Sequence, residues 1–122
     1  MEKFNSFDGQ SYLNIETFRK SGVGVKTPVW FVKEGDRLYV RTVADSGKAK
    51  RVRNNGSVNV APCKVDGTLL GDWTAATAHE VTDAKTAQQV DRLLSKKYGL
   101  MKVLFGLAGA LQRRKETVLE IS

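Results

Sequence analysis

Four basic side chains crowd one short stretch of the chain, and they could together bind an anion: Lys48, Lys50, Arg51 and Arg53. Asp45 and Ser46 before them are typical helix N-caps, Gly47 frees the backbone, and Asn54–Gly56 is a stop signal, so the stretch predicts a very short helix. Backbone amides and the dipole at a helix start favour negative charge. The predicted ligand is a phosphate. A solvated basic helix face is the simpler alternative, and the Ser46–Gly47 turn favours the phosphate site.

The elements that must position this helix are predicted to be mostly strands. Hydrophobic alternation and turn signals indicate six of them: Tyr12–Arg19, Val23–Lys33, Arg37–Thr42, Ser57–Lys64, Leu69–Val81 and Thr117–Ser122. Thr82 is expected to cap a helix that begins at Asp83 and ends at Gly99, and a second amphipathic helix covers Leu100–Leu111. Short strands joined by turns favour a mainly β protein with helices (α+β), built as a small antiparallel barrel.

The second predicted strand contains Pro28, which cannot donate a hydrogen bond to a neighbouring strand. A proline therefore indicates an edge, a bulge or the end of a strand. Trp30 points to the same side, so a gap in the ladder beside an indole would suit a flat ring. The more frequent alternative is an ordinary edge proline and a tryptophan that belongs to the core.

Length and charge limit the classes of function. The 122 residues fit one domain over 1–122, and the net charge of +7 favours an anionic partner such as a phosphorylated cofactor or nucleic acid. The polar N-terminal residues predict a cytoplasmic protein. One cysteine (Cys63) and one histidine (His79) cannot form a zinc site, and Leu100–Leu111 is too short for a membrane span. Neither Cys63 nor His79 has the neighbours of a catalytic residue, so no catalytic residue is assigned.

Several motifs together resemble a known family of oxidoreductases. They are Thr27–Phe31, Arg37–Thr42, Ser46–Asn55, Val60–Cys63, Gly67, Gly71 and Trp73. In this order and spacing the chain resembles the split β-barrel flavin and deazaflavin oxidoreductases related to pyridoxamine 5'-phosphate oxidase, most closely the short branch that uses the deazaflavin coenzyme F-420. The resemblance covers about Tyr12–Ile121. Gly56 departs from it, because relatives commonly carry proline there.

The resemblance implies a homodimer of six-stranded split barrels of the FMN-binding type, with a cofactor (coenzyme F-420 or FMN) between the subunits. It implies that Lys48 holds the cofactor phosphate, helped by Lys50, Arg51 and the turn at Ser46 and Gly47, and that Thr42 lies near the ribityl chain. The ring system would lie along Thr27, Pro28, Val29 and Trp30. Lys50 and Arg53 would suit the acidic tail of the deazaflavin.

Three hypotheses of function follow. The first is an oxidoreductase that transfers a hydride between the bound cofactor, which carries the redox chemistry, and an unidentified small molecule. The second is a non-catalytic protein that binds or carries a flavin. The third is a small barrel that binds nucleic acid through exposed aromatics such as Tyr39 or Trp30. The cations concentrate at helix ends instead of alternating with aromatics, so nucleic acid is not the expected partner.

Overall fold

A computed structural model of the chain describes residues 3–99 and 115–122. After a short 3-10 turn at Asn5–Phe7, the strands and helices have the following bounds: β1 Tyr12–Phe18, β2 Gly24–Val29, β3 Val32–Glu34, β4 Arg37–Val43, α1 Gly47–Asn54, β5 Ser57–Cys63, β6 Thr74–Glu80, α2 Ala84–Tyr98 and β7 Glu116–Ile121. The second predicted helix, Leu100–Leu111, lies outside the described residues.

The strands form one antiparallel sheet in the order β2-β1-β5-β6-β7-β4-β3. Its two edges, β2 and β3, are consecutive in the chain and are separated only by Trp30 and Phe31. Three residue steps span at most about 11 Å. The sheet must therefore curl until its edges nearly meet, which makes it a half-barrel. The predicted mainly β architecture with helices is confirmed.

The number of strands differs from the prediction of six. The stretch expected as one strand, Val23–Lys33, breaks after Val29 and resumes at Val32, so the sheet has seven strands. The predicted strand Leu69–Val81 was too long, because only Thr74–Glu80 pairs continuously and Leu69 makes a single bridge to Cys63. Pro28 lies on β2, an edge strand of the sheet. This is one of the positions expected for a residue that has no backbone N–H to donate.

The barrel interior is the larger of two apolar cores. Inward residues alternate along β1, β4, β5, β6 and β7, and two end groups complete the core: Val52 of α1 and the aromatic cluster Phe4, Phe7 and Phe31. The ring of Phe7 packs edge-on against both other phenylalanines, at centroid distances of 5.8 and 5.7 Å. Phe4 and Phe7 anchor the N-terminal arm on the barrel, since both are fully buried.

Helix α2 covers the outer face of β3, β4 and β7. Its spacing buries Val90 and Leu94 against Val32, Tyr39 and Val118. Its N-cap is Asp83, whose carboxylate accepts from two backbone amides of the first turn, and not Thr82 as predicted. Gly99 ends the helix with a φ of 51°, in agreement with the sequence. Within residues 3–99 and 115–122, no helix has the length and apolar character needed to cross a membrane.

Candidate functional site

The predicted short helix forms as expected and closes one end of the half-barrel. Ser46 is its N-cap: the side-chain oxygen accepts a hydrogen bond from the amide of Ala49 at 3.2 Å. Ala49 and Val52 are buried, so the apolar stripe docks on the barrel. Thr42, at the end of β4, is also buried, and its hydroxyl lies 3.4 Å from that of Ser46. The loop from β4 therefore holds the helix start in a fixed position.

Two amides at the start of α1 remain available to a ligand. The amides of Ala49 and Lys50 bond to the side chain and the carbonyl of Ser46, as in an ordinary helix start. The amides of Gly47 and Lys48 have no acceptor among the described residues. Such N–H groups are satisfied by water or by an anion.

Lys48 and Arg51 form a cationic pair with Arg19 beside them. Burial, followed by the charge of Arg51, lowers the pKa of Lys48 below its ordinary value. Burial, followed by the charge of Arg19, likewise lowers the pKa of Arg51. No carboxylate in the described part of the chain forms an ion pair with any of the three. An anion at this position would relieve the mutual repulsion.

The guanidinium of Arg51 is held by one hydrogen bond and occupies space left free by Gly47. Its Nε donates a hydrogen bond of 2.7 Å to the hydroxyl of Thr17, which is fully buried on β1. Its terminal nitrogen lies where a side chain on Gly47 would be, only 2.6 Å from the position of a Cβ atom. The absence of a side chain at Gly47 therefore lets Arg51 fold back over the helix start, beside Lys48.

The other two cations of the predicted cluster behave differently. Lys50 is exposed. Arg53 forms a bidentate ion pair with Glu80 of β6, at 2.6 and 3.1 Å. Two of the four cations, Lys48 and Arg51, therefore face the helix start without a counter-charge from the described residues, whereas Arg53 is already neutralised by Glu80.

The predicted ring-binding residues of β2 lie on two faces of the sheet. Thr27 and Val29 pair with Ile15 and Leu13, so they share the inner face on which Thr17 binds Arg51. Pro28 is exposed on the outer face, opposite Asn14. The side chains of Thr27 and Val29 thus project toward the interior, and that of Pro28 projects away from it.

Trp30 lies at the strand break and already has an aromatic partner. Its indole stacks on the ring of Tyr98, the last residue of α2, with centroids 4.3 Å apart and planes inclined by 10°. It also packs against the outer core under α2 and is partly buried there.

Sequence reasoning missed several residues that surround these positions. Thr17 and Arg19 were not connected with Arg51, because they are more than 30 positions distant in the chain. Tyr98 and Lys97 were not connected with Trp30 and Phe31. The inward alternation of Thr17 in β1 was visible, but nothing in the sequence indicated which end of the barrel the short helix covers.

The histidine and the cysteine lie on strands β6 and β5. His79 is exposed on β6, with its Nε2 atom 3.5 Å from the carboxylate of Glu120. Cys63 is buried, which raises the pKa of its thiol. Among residues 3–99 and 115–122, no three His, Cys, Asp or Glu side chains are grouped to hold a metal ion.

Solved structures resemble this half-barrel over nearly its whole length. The heme storage protein HutZ from Vibrio cholerae superposes with a TM-score of 0.73 at 15% identity, over 100% of this chain and 90% of that one. A candidate pyridoxamine 5'-phosphate oxidase from Listeria innocua gives 0.68 at 14% identity, over 95% and 86%. An F-420 reductase gives 0.60 at 14% identity, over 95% and 88%.

This fold is the split β-barrel. The identities show the fold alone, and the names of these split barrels cover different roles. No protein-family model and no curated protein sequence matches the chain. Function therefore has to be argued from the split barrel's own residues.

Proposed function

We propose that the chain is an oxidoreductase that binds coenzyme F-420 or FMN and transfers a hydride between it and a small molecule. The observation that carries the proposal is the pair of cations at the start of α1, Lys48 and Arg51, which has no carboxylate partner in the described part of the chain; we call it the cationic corner. Lys48 and Arg51 are held together although burial and like charge oppose their ionisation. Folded proteins keep such an arrangement where it has a use, and both cofactors end in a phosphate.

The donor set at the helix start fits a phosphate. It comprises one ammonium, one guanidinium and the two amides of Gly47 and Lys48, all at the N-terminal end of a helix dipole. Ser46 orients the first turn, and the buried Thr42 lies next to Ser46. In this proposal Thr42 would contact the ribityl chain. Thr27 and Val29 would border the ring on the inner side of β2. Pro28 and Trp30 are the weaker members, since one faces outward and the other stacks on Tyr98.

The chemistry asked of the protein is modest. The cofactor supplies the hydride transfer, and the residues named here bind its phosphate and keep its position. Arg51, fixed by Thr17, and Lys48 would neutralise the phosphate charge inside a partly dry corner, where each bond counts for more than in water. We assign no general acid or base.

The direct test is a titration of the cofactor-free protein with FMN and with coenzyme F-420, followed by absorption and fluorescence. Lys48→Ala is expected to lower the affinity for the tighter-binding cofactor by about tenfold or more, since a charge-assisted hydrogen bond contributes about 1.5–3 kcal/mol. Lys64→Ala removes an equally charged but exposed residue and serves as the control. Binding of neither cofactor would overturn the proposal, and equal loss in both variants would remove Lys48 from the site.

A non-catalytic carrier is the second candidate. The same phosphate-binding residues would serve it, and the structural neighbour HutZ bears the name of a storage protein. A turnover assay distinguishes the two functions. Reduced cofactor should be oxidised in the presence of a suitable acceptor by an enzyme, and only bound and released by a carrier.

A homodimer is part of the proposal, because the resemblance seats the cofactor between two subunits. The long connection from β5 to β6 exposes Val65, Leu69 and Leu70, which would be better placed against a partner subunit. One similar structure is named as a domain-swapped dimer. Light scattering coupled to size exclusion tests the assembly, with Leu70→Glu expected to shift it toward the monomer.

Nucleic acid is a poor alternative partner. The two aromatic side chains that this hypothesis needs for stacking on bases already pack within the protein. Tyr39 is only 8% exposed under α2, and Trp30 stacks on Tyr98. The expectation that Tyr39 is exposed was wrong, because α2 covers its face of the sheet. We keep the prediction of a cytoplasmic protein with a small-molecule substrate.

A further inference from the structure

Two neighbouring asparagines at the end of α1 differ in the backbone amide that follows each of them. After Asn54, the amide of Asn55 donates to the carbonyl oxygen of Arg51 at 2.8 Å and closes the last turn of the helix. After Asn55, the amide of Gly56 has no acceptor among the described residues, although the Gly56 carbonyl is held by the amide of Ala78 at 2.7 Å. Asn55 is therefore followed by an N–H group that no described residue engages, on a residue without a side chain.

The side chain of Asn55 is fixed beside this amide. Its carboxamide oxygen accepts a hydrogen bond from the amide of Ser57 at 3.0 Å, so the side chain closes a turn around the peptide bond between Asn55 and Gly56. The Ser57 N–H thus lies at the oxygen on which negative charge develops when a nucleophile adds to the carboxamide carbon, as donors do in an oxyanion hole. Asn55 and Ser57 are both exposed, so water reaches the group.

We propose that Asn55 is a site of covalent modification, at which the folded chain converts the carboxamide to a carboxylate through a cyclic imide. The amide nitrogen of Gly56 bonds to the carboxamide carbon of Asn55, and the carbon–nitrogen bond of the side chain breaks. The proton from Gly56 ends on the departing ammonia. Water then opens the imide at either carbonyl, which leaves aspartate or its isomer with the backbone routed through the side chain. The reaction needs no oxidant or reductant, and the net charge of +7 falls by one unit.

A second turn of the same kind provides the comparison. The carboxylate of Asp66 accepts a hydrogen bond from the amide of Thr68 at 2.9 Å, and a glycine again lies between the two residues. Here the intervening amide, that of Gly67, donates to the carbonyl oxygen of Lys64 at 2.9 Å. The two turns share the side-chain hydrogen bond and differ in whether the attacking nitrogen is already bonded.

The modification would act on the junction between α1 and β5. A carboxylate at the C-terminal end of α1 opposes the helix dipole, and the isomer adds one carbon to the backbone just before Gly56. Gly56 has little room to move, since a Cβ atom on it would lie only 2.8 Å from the carbonyl oxygen of Ala78. We expect the added length to be taken up by α1, which carries the cationic corner. The reaction itself does not depend on a cofactor.

The test follows the whole folded chain at mildly alkaline pH by peptide mapping and mass spectrometry. The peptide that contains Asn55 should gain the mass difference between an amide and an acid, and an isoaspartyl methyltransferase should label its isomer. Asn54 should react at least about tenfold more slowly, because the amide after it is bonded and belongs to a residue with a side chain.

The matched control is Asp66→Asn, which places an asparagine before a glycine in the second turn and keeps the oxygen that accepts from Thr68. This asparagine should react about two- to tenfold more slowly than Asn55, because one ordinary hydrogen bond must break first. Unfolding in urea removes both turns, so the two positions should then react at similar rates. An unreactive Asn55 in the folded chain would overturn the proposal, as would equal or faster reaction at position 66 before unfolding.

Discussion

The hydroxyl of Tyr98 accepts a hydrogen bond from the backbone N–H of Phe31 at 3.0 Å and lies 2.9 Å from the carbonyl oxygen of the same residue. Phe31 lies in the gap between β2 and β3, where its backbone pairs with no strand of the described residues. Lys97 donates to the same carbonyl, and Trp30 stacks on the Tyr98 ring. The last turn of α2 thus replaces the missing ladder at the point where the sheet closes on itself.

Removal of the Tyr98 hydroxyl should destabilise the fold although the ring remains. In Tyr98→Phe the N–H of Phe31, a fully buried residue, would lose its acceptor, which costs about 1–3 kcal/mol. Urea unfolding measures the difference. Tyr12→Phe is the matched control, because the Tyr12 hydroxyl bonds to no described residue. A Tyr98→Phe protein as stable as the parent would show that water replaces the hydroxyl.

Thr17 should act on cofactor binding through Arg51. Thr17→Val keeps the shape of the buried side chain but removes the acceptor of the Arg51 Nε, so the guanidinium keeps its charge and loses its orientation. We expect the affinity for the phosphorylated cofactor to fall about two- to tenfold, equivalent to one ordinary hydrogen bond. The cofactor titration measures this, with the exposed Thr77→Val as the control. Unchanged affinity would separate Arg51 from the phosphate site.

Gly56 should not tolerate a side chain. A Cβ atom there would lie 2.8 Å from the carbonyl oxygen of Ala78, whose amide donates to the Gly56 carbonyl at 2.7 Å. The obstacle is backbone, so the start of β5 and the end of β6 would have to separate. Gly56→Ala is expected to cost about 1–3 kcal/mol of unfolding free energy. Ser57→Ala, one residue further and exposed, should be near neutral in the same denaturation experiment.

Glu80 should contribute to stability in acid. The guanidinium of Arg53, helped by the hydroxyl of Thr117, lowers the pKa of Glu80 from 4.5 to about 2. A carboxylate whose pKa is depressed in the folded state stabilises the fold above its unfolded pKa, and that contribution is lost as the pH falls from about 4.5 through 2. Solvent screening limits it to about 1 kcal/mol.

The corresponding variant is Glu80→Gln, followed by thermal unfolding between pH 7 and pH 2. It should be less stable than the parent at neutral pH, and the difference should shrink as the pH approaches 2. Asp72→Asn removes an exposed carboxylate that has no ion pair in the described residues. It should change neither the stability at neutral pH nor the loss of stability toward pH 2. A constant difference at every pH would mean that charge on Glu80 is not what stabilises the β6–β7 pair.

The sequence by itself determined the local elements and the grouping of cations at the helix start. Ser46, Gly47 and the cations that follow act within one or two turns, so capping and periodicity were enough to predict α1 and its exposed amides. The alternation of β1 and β4 was equally readable, because each strand buries one face whatever its neighbour is.

Only the tertiary structure decided which groups meet. Arg51 finds Thr17 and Lys97 finds Phe31 across separations of 34 and 66 positions, and these depend on how the sheet curls. Pro28 indicated that the second predicted strand could end near Val29, but the sequence did not show that the chain resumes at Val32 as the opposite edge of the sheet, because that depends on how the sheet closes. Local propensity depends only on neighbouring residues and carries no information on how the sheet closes. One predicted strand is therefore observed as two.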